Sequence, residues 1–117
     1  MRQIESSGSV KAFYLDKEAV LQRLREVSEE AFAVFPELRE IRLFGSLAKG
    51  EHTGLSDVDI LVVVESAQKD PLEMARPYFS FFSDRMDVGI DVIVTTRADM
   101  EKLSDLLKNS ICVKARR

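Results

Sequence analysis

Residues 45–64 read Gly-Ser-Leu-Ala-Lys-Gly-Glu-His-Thr-Gly-Leu-Ser-Asp-Val-Asp-Ile-Leu-Val-Val-Val, and the residues in this stretch are the most informative about both fold and chemistry. Its last part, Val58 to Val64, is an apolar, largely β-branched run of the kind that forms a central strand of a sheet. Two carboxylates, Asp57 and Asp59, stand two residues apart where this run begins. Alternate residues of a strand project to the same face, so we expect these carboxylates to lie side by side. Like charges held this close repel unless a cation lies between them, which favours a metal site.

The beginning of the same stretch indicates an anion site. Gly45-Ser46 follows the run Ile41-Arg42-Leu43-Phe44, for which we expect a strand, and a short helix should then run from Ser46 to about Glu51. A small turn that leaves a strand and opens a helix presents free backbone N–H groups, which favour phosphate. Carboxylates that bind metal beside a phosphate cradle indicate metal-assisted phosphoryl or nucleotidyl transfer.

A third carboxylate, Asp91, lies inside the apolar run Val88 to Val94. If this run is a strand paired with that of Asp57 and Asp59, the three carboxylates converge on one patch. Hard oxygen ligands with a high negative charge are those that Mg²⁺ selects. Two ions about 4 Å apart would activate an attacking hydroxyl and stabilise a leaving pyrophosphate. Each aspartate alone is more typical of a solvated sheet face or a turn, and it is the combined pattern that indicates the site.

Composition sets the class of protein. The 117 residues, 45 % hydrophobic and 32 % charged, predict a single domain over 1–117 with a flexible lead-in at 1–10. A formal charge of −3 lacks the basic face that nucleic-acid binding requires, so no nucleic-acid partner is expected. The single cysteine, Cys112, excludes an intrachain disulfide. Without a signal segment or an apolar run long enough to span a membrane, the chain is expected to be cytoplasmic.

The rest of the chain supplies helices and one more strand. A helix from about Lys17 to Phe35 should bury a stripe at three- and four-residue spacing: Val20, Leu24, Val27, Ala31 and Val34. Val10 to Leu15 is a candidate edge strand. Strands that alternate with helices predict a small α/β (α+β) fold, in which a mixed β-sheet has helices packed on one face.

Two further helices follow the central strand. Asp70-Pro71 begins one that runs to about Ser83, with Asp70 as N-cap. Among its aromatic residues, Phe79 and Phe82 are assigned to the core, while Phe81 or Tyr78 is left as an exposed ring. Thr96 and Asp99 cap a last helix, whose apolar stripe is Met100, Leu103, Leu107 and Ile111.

Two motifs resemble a known signature. Gly45-Ser46-x-x-x-Gly50 followed by Ser56-Asp57-x-Asp59-Ile60 is similar to the signature of the polymerase-beta-type nucleotidyltransferase superfamily. More closely, the chain resembles the minimal nucleotidyltransferases, or MNT proteins, over about residues 16–112. Ala48-Lys49-Gly50 matches their small–basic–glycine element, with lysine where arginine is common. The resemblance implies the polymerase-beta-like nucleotidyltransferase fold.

The resemblance also implies roles for single residues. Asp57 and Asp59 would ligate two Mg²⁺ ions, and Asp91 would complete the site of the ion that activates the acceptor hydroxyl. Gly45 and Ser46 would hold the phosphates of a nucleoside triphosphate. Two cations are further candidates for phosphate contact: Lys49, whose alternative is an ordinary solvated helix lysine, and Arg42.

The family further implies a partner. MNT proteins are commonly encoded beside a small helical HEPN protein as a toxin–antitoxin pair, and the MNT chain, as antitoxin, moves AMP from ATP to a tyrosine of the HEPN toxin. The resemblance therefore implies ATP as donor and a HEPN-type protein as partner, in a homo- or hetero-oligomer. Two alternatives remain: a binding-only antitoxin that acts by occlusion, and transfer to a small molecule such as an aminoglycoside. The intact carboxylates argue against the first, and the lack of an evident second domain argues against the second.

Overall fold

The computed structural model describes residues 2–5, 11–14, 17–45, 48 and 57–116. Its elements, in chain order, are β1 (Arg2–Glu5), β2 (Lys11–Tyr14), α1 (Lys17–Val34), β3 (Leu38–Phe44), β4 (Val58–Val64), α2 (Pro71–Arg85), β5 (Ile90–Thr96), a 3-10 turn (Met100–Leu103) continued by α3 (Ser104–Leu107), and β6 (Ile111–Ala115). None of the helices in these ranges has the length and apolar character needed to cross a membrane.

Four strands form the main sheet, in the order β5-β4-β3-β6. β4 and β5 are parallel and are connected through α2, whereas β3 is antiparallel to both β4 and β6. The predicted mixed sheet is therefore confirmed. The candidate edge strand at 10–15 is present as β2, but it pairs with β1 in a separate two-stranded sheet. β1 itself was not predicted, because its segment was expected to be a flexible lead-in.

The last helix of the sequence prediction is wrong in its second half. The helical segment ends at Leu107, and Ile111 begins β6, which pairs with β3. Of the predicted cap, one contact is present: the Thr96 Oγ1 accepts a hydrogen bond from the Asp99 backbone N–H at 3.1 Å. Thr96 itself ends β5, and the helical segment begins later, at Met100, as a 3-10 turn that the Asp99 side chain does not cap. The apolar spacing up to Ile111 fits a helix, but the pairing of Ile111–Ala115 with a distant strand outweighs this local pattern.

One face of the sheet packs against α1 and α2 and forms the core. Alternate side chains of β4, from Val58 to Val64, meet the buried stripe of α1 there. The predicted stripe is confirmed for four of its five residues, which are fully buried: Val20, Leu24, Val27 and Ala31. Val34 is 56 % exposed, so its assignment to the core was wrong. Phe35, one position further, packs against the core instead, with its ring 4.3 Å from that of Tyr78.

The aromatic residues of α2 also differ from the prediction. Tyr78, Phe81 and Phe82 are buried, whereas Phe79 is 44 % exposed. Positions 78, 81 and 82 follow the three- and four-residue spacing of one helix face, and position 79 lies outside that stripe. The predicted helix start is confirmed, because the Asp70 side chain accepts a hydrogen bond from the Leu72 backbone N–H at 3.3 Å.

The opposite face of the sheet carries the alternate residues of β4, and we call it the carboxylate face. It begins with Asp57 and Asp59 and continues with Leu61 and Val63, which are 0 % and 1 % exposed. β4 is therefore buried on both faces beyond its aspartates, as its continuous apolar sequence predicts. The aspartates occupy the end of this face at which β4 and β5 both begin, because the two strands are parallel.

Candidate active site

The pairing of β4 with β5 brings Asp59 and Asp91 together. In the parallel register Asp59 stands opposite Asp91, and Val58 stands opposite Ile90. Neighbouring strands lie about 4.8 Å apart, so the two aspartates are adjacent on the sheet. Asp57 precedes β4 by one residue and has the same parity as Asp59. The convergence of the three carboxylates that the sequence predicted is therefore present in the structure.

The electrostatics show that the three groups interact. Burial raises the pKa of Asp59, and the negative charges of Asp91 and Asp57 raise it further. Within the described part of the chain, no cation forms an ion pair with any of the three aspartates. The acidic end of the carboxylate face is thus a cluster of mutually repelling charges.

Gly45 closes one side of this cluster. It follows β3, whose last residue, Phe44, pairs with Asp59. Its φ of +81° lies in the region that disfavours residues with a side chain. In addition, a Cβ at this position would lie 2.1 Å from the Asp59 Oδ2. Glycine is therefore required at position 45 for two reasons: the backbone conformation and the close approach of the Asp59 carboxylate.

Gly89 closes the other side of the cluster, and it was not among the site residues predicted from the sequence. A Cβ at Gly89 would lie 2.5 Å from the Asp57 Oδ1. The carbonyl oxygen of Gly89 also accepts a hydrogen bond from the Val58 backbone N–H at 2.9 Å. The available signal was a glycine inside a strand-like run, two residues before Asp91, because such a glycine often marks a close approach by another group.

Of the other residues predicted to contact the nucleotide, only Arg42 lies in the described part of the chain. Ser46 and Lys49 lie outside the described residues, as does most of the short helix predicted from Ser46 to Glu51, so these assignments remain predictions. Arg42 lies on β3 opposite Leu61. Its Nε donates to the Ser110 Oγ at 2.7 Å, and its guanidinium forms an ion pair with Glu40. Arg42 therefore joins β3 to the segment that precedes β6.

The donor set fits a divalent cation in its chemistry. Three carboxylates supply hard oxygen ligands and the high negative charge that Mg²⁺ selects. Among the described residues, however, no three His, Cys, Asp or Glu side chains are arranged as they stand to hold a metal. Asp59 leans toward Gly45 on the β3 side, and Asp57 leans toward Gly89 on the β5 side. Binding one ion between them therefore requires these side chains to rotate toward each other.

A cavity of about 570 Å³ lies at the other end of the carboxylate face. Val63, four residues along β4 from Asp59, is part of its lining, which also includes three arginines: Arg39, Arg97 and Arg116. Arg39 sits at a β-bulge, where the register of β3 against β4 shifts between Leu38 and Glu40. An extra residue at a bulge changes the direction of neighbouring side chains.

Comparison with known proteins gives a consistent assignment. A family model described as "Nucleotidyltransferase domain" matches residues 21–116. A solved structure assigned as a nucleotidyltransferase from Sulfolobus solfataricus is 25 % identical, with a TM-score of 0.65, over 86 % of this chain and 84 % of that one. No curated protein matches the chain.

Two toxin–antitoxin structures have lower identity. One, described as a toxin-antitoxin with AMP-PNP, is 20 % identical with a TM-score of 0.50, over 88 % of this chain and 76 % of that one. The other, a mutant of the toxin-antitoxin MntA-HpeT, is 18 % identical with a TM-score of 0.47, over 88 % of this chain and 75 % of that one. At 20 % identity, the similarity to the structure with AMP-PNP shows a shared fold and nothing more.

Proposed function

The chain belongs to the nucleotidyltransferase-domain family, and on this premise we propose that it moves AMP from ATP to a hydroxyl group of a partner protein, with Mg²⁺ as cofactor. The observation that carries the proposal is the register of β4 against β5, which pairs Asp91 with Asp59, two residues along the chain from Asp57. A sheet that only needed to fold would gain nothing from three adjacent carboxylates that repel one another.

In the proposed reaction the acceptor hydroxyl oxygen attacks the α-phosphorus of ATP. The bond from that phosphorus to the bridging oxygen breaks, pyrophosphate leaves, and the hydroxyl proton is lost to solvent. Bound Mg²⁺ would lower the pKa of the acceptor hydroxyl and neutralise charge on the leaving pyrophosphate. Asp57 and Asp59 would hold both ions, and Asp91 would complete the site on the acceptor side.

The phosphates of ATP are assigned to the turn after β3. Gly45 lies beside the Asp59 carboxylate, so a triphosphate at this turn would be adjacent to the carboxylate cluster. Ser46 would contact the same phosphates, and Lys49 would add positive charge near them. A strand-to-helix turn supplies backbone N–H groups suited to this role.

The proposed partner is the toxin of a HEPN/MNT pair, with this chain as the antitoxin. The likeness to a toxin-antitoxin structure described with AMP-PNP supports both an adenine nucleotide and a protein partner. A protein acceptor is also consistent with the formal charge of −3, which disfavours a nucleic-acid acceptor.

The test is a transfer assay with ATP labelled on its α-phosphate. The purified chain is incubated with Mg²⁺, labelled ATP and lysate of the source organism, beside the variant Asp57→Asn/Asp59→Asn. The matched control Asp84→Asn/Asp105→Asn removes the same charge at two exposed positions outside the cluster. We expect label on a discrete protein band with wild type and control, and none with the cluster variant.

Two results would contradict the proposal in different ways. Undiminished labelling by a folded cluster variant would show that these carboxylates do not bind the catalytic metal. Label on nuclease-sensitive or low-mass material would show that the acceptor is a nucleic acid or a small molecule, such as an aminoglycoside, and not a protein.

One observation favours the second candidate function, an antitoxin that only binds and occludes its partner. As they stand, the Asp57 and Asp59 carboxylates lean to opposite sides of β4 and form no metal-ligand group. In that case Asp57→Asn/Asp59→Asn would neutralise the toxin in cells as well as wild type does. Loss of neutralisation in a folded variant would exclude occlusion as the sole activity.

A further inference from the structure

We propose that Gly89 is a positioning residue for Asp57, holding open the space in which the Asp57 carboxylate rests before it binds metal. This inference rests on the proposed function, because it takes the Asp57 carboxylate to be a metal ligand. It concerns a residue outside the signature motif, on the turn that precedes β5.

The contact is close. A Cβ built on Gly89 would lie 2.5 Å from Oδ1, 3.3 Å from Cγ and 3.9 Å from Oδ2 of Asp57. All three distances involve one carboxylate, and no other group lies among the three nearest atoms. The space that a side chain at position 89 would fill is therefore occupied by the Asp57 carboxylate.

The backbone does not require glycine at this position. Among the described residues, Gly45 is the only one with a positive φ, so Gly89 adopts a conformation open to alanine. Glycine next to a strand otherwise costs conformational entropy and contributes no packing. The space left for Asp57 is the remaining structural reason for glycine at position 89.

The contact is also fixed in place. The Gly89 carbonyl oxygen accepts a hydrogen bond from the backbone N–H of Val58, the residue after Asp57. The register then continues with Val58 opposite Ile90. Because the backbones on both sides are tied together, an added methyl group at position 89 would have to displace the carboxylate.

The arrangement has a counterpart across β4. Asp59 rests against Gly45, at the end of β3, just as Asp57 rests against Gly89, at the start of β5. Each aspartate thus faces a glycine on a neighbouring strand, and the two glycines lie on opposite sides of β4. Substitution at Gly45 would strain the backbone as well, so Gly89 offers the cleaner probe of carboxylate placement.

The experiment measures Mn²⁺ binding by the full chain, from the electron paramagnetic resonance signal of free Mn²⁺, without ATP or partner. The variants are Gly89→Ala, Asp57→Asn and the two combined, with Asp87→Ala as a control at an exposed neighbouring position. Thermal melting without metal reports on the fold. We expect Gly89→Ala to melt no lower than wild type, since alanine restricts the unfolded chain more than glycine does.

Because Asp57 must turn away from Gly89 to bind an ion, we expect Gly89→Ala to strengthen Mn²⁺ binding at least about threefold, a shift equivalent to about 0.7 kcal/mol. Asp87→Ala should bind like wild type, and the added methyl should change nothing further in the Asp57→Asn background, because its effect acts through that carboxylate. Binding by Gly89→Ala that is weaker than that of the wild type, or within about twofold of it, would overturn the inference, and so would a lower melting temperature, which would show that the fold itself needs glycine at this position. Absence of Mn²⁺ binding by the wild type would instead overturn the proposed metal dependence, and this inference with it.

Discussion

The carboxylate face has an acidic end, at Asp57, Asp59 and Asp91, and an arginine-lined end, at Arg39 and Arg97. Val63, at the arginine-lined end, lies four residues along β4 from Asp59, or roughly 13 Å. At the acidic end three like charges are adjacent, without a cation paired to them in the described part of the chain. At the arginine-lined end, the Glu65 Oε1 lies 2.8 Å from the Arg39 Nε and 3.3 Å from the Arg97 Nη1.

The third arginine that lines the cavity donates hydrogen bonds to backbone carbonyl groups. Arg116 donates to the carbonyl oxygens of Leu38 at 3.0 Å and Phe32 at 2.8 Å, and its guanidinium lies 4.9 Å from the Phe32 ring. These contacts tie the residue after β6 to the last turn of α1 and to the start of β3. Cations at the C-terminal end of a helix also complement its dipole.

The two ends differ in whether their charged side chains have partners. Each arginine of the far end has a carboxylate or carbonyl partner, so its charge supports the fold. The carboxylates of the acidic end have no cationic partner among the described residues: burial raises the pKa of Asp59, and repulsion by Asp91 and Asp57 raises it further. Perturbed titratable groups that meet at one point are typical of functional sites.

The largest expected effect is on catalysis at the acidic end. We expect Asp91→Asn to lower the rate of AMP transfer by at least about 100-fold, the scale of losing one preorganised electrostatic contact at a reacting centre. The fold should be retained, because Asp91 is exposed. The transfer assay with α-labelled ATP measures this, and a rate close to that of wild type would remove Asp91 from the site.

The next effect is on stability at the arginine-lined end. Arg116→Ala should destabilise the fold by about 1 kcal/mol, because the carbonyl oxygens of Leu38 and Phe32 lose a charged donor at an exposed position. Urea denaturation measures this free energy of unfolding. Arg116→Lys keeps the charge but not the planar fork, so it should recover only part of the loss. Full recovery would mean that charge alone matters.

A smaller effect links stability to pH at the acidic end. The pKa of Asp59 is raised above its usual 3.8, so the folded state holds this proton more tightly than the unfolded state. Stability is therefore lost as the pH rises through the folded pKa. Asp59→Asn should melt a few degrees higher than wild type at neutral pH, while transfer is abolished.

The pH dependence of the melting temperature tests whether the charge of Asp59 causes the higher stability of Asp59→Asn. Well below pH 3.8, Asp59 is mostly protonated in both the folded and the unfolded state, so the advantage of asparagine should become small. Thermal melts of both proteins from about pH 3 to pH 8 follow the difference. A gain that stays constant over this range would show that the charge of Asp59 does not cause it.

The smallest effect is expected at Arg97. Its ion pair with Glu65 is solvent-exposed, with 63 % and 49 % of the two side chains accessible. Such pairs contribute roughly 0–1 kcal/mol, so Arg97→Ala should change the free energy of unfolding by less than about 0.5 kcal/mol and leave transfer unchanged. A strong loss of transfer would show that the arginine-lined end takes part in the reaction, and the contrast between the two ends would fail.

Local signals in the sequence predicted β4 and the side of the sheet on which its aspartates lie. β4 has the predicted bounds, Val58–Val64, because a continuous apolar run follows the aspartates directly. The placement of Asp91 beside Asp59 followed from alternation along two strands once their pairing was assumed. Asp70 caps α2 through a hydrogen bond to a residue only two positions further along the chain, so local sequence is enough to predict it.

The missed features depend on contacts between distant residues. β6 forms by pairing with β3, and its apolar residues continue a spacing that also fits a helix. Phe79 and Tyr78 are neighbours in sequence, so composition could not say which ring faces the core. The contact between Gly89 and Asp57 depends on the pairing of β5 with β4; a glycine in a strand-like run indicates a close approach but not which group approaches.

We propose that Asp57, Asp59 and Asp91 bind divalent cations together with ATP. The most direct test is a crystal structure of the chain grown with Mn²⁺ and ATP, in which anomalous scattering locates each ion. We expect Mn²⁺ within about 2.5 Å of carboxylate oxygens from all three aspartates, with the phosphates of ATP at the turn that begins at Gly45. Nucleotide bound elsewhere, or Mn²⁺ absent from these carboxylates, would contradict it.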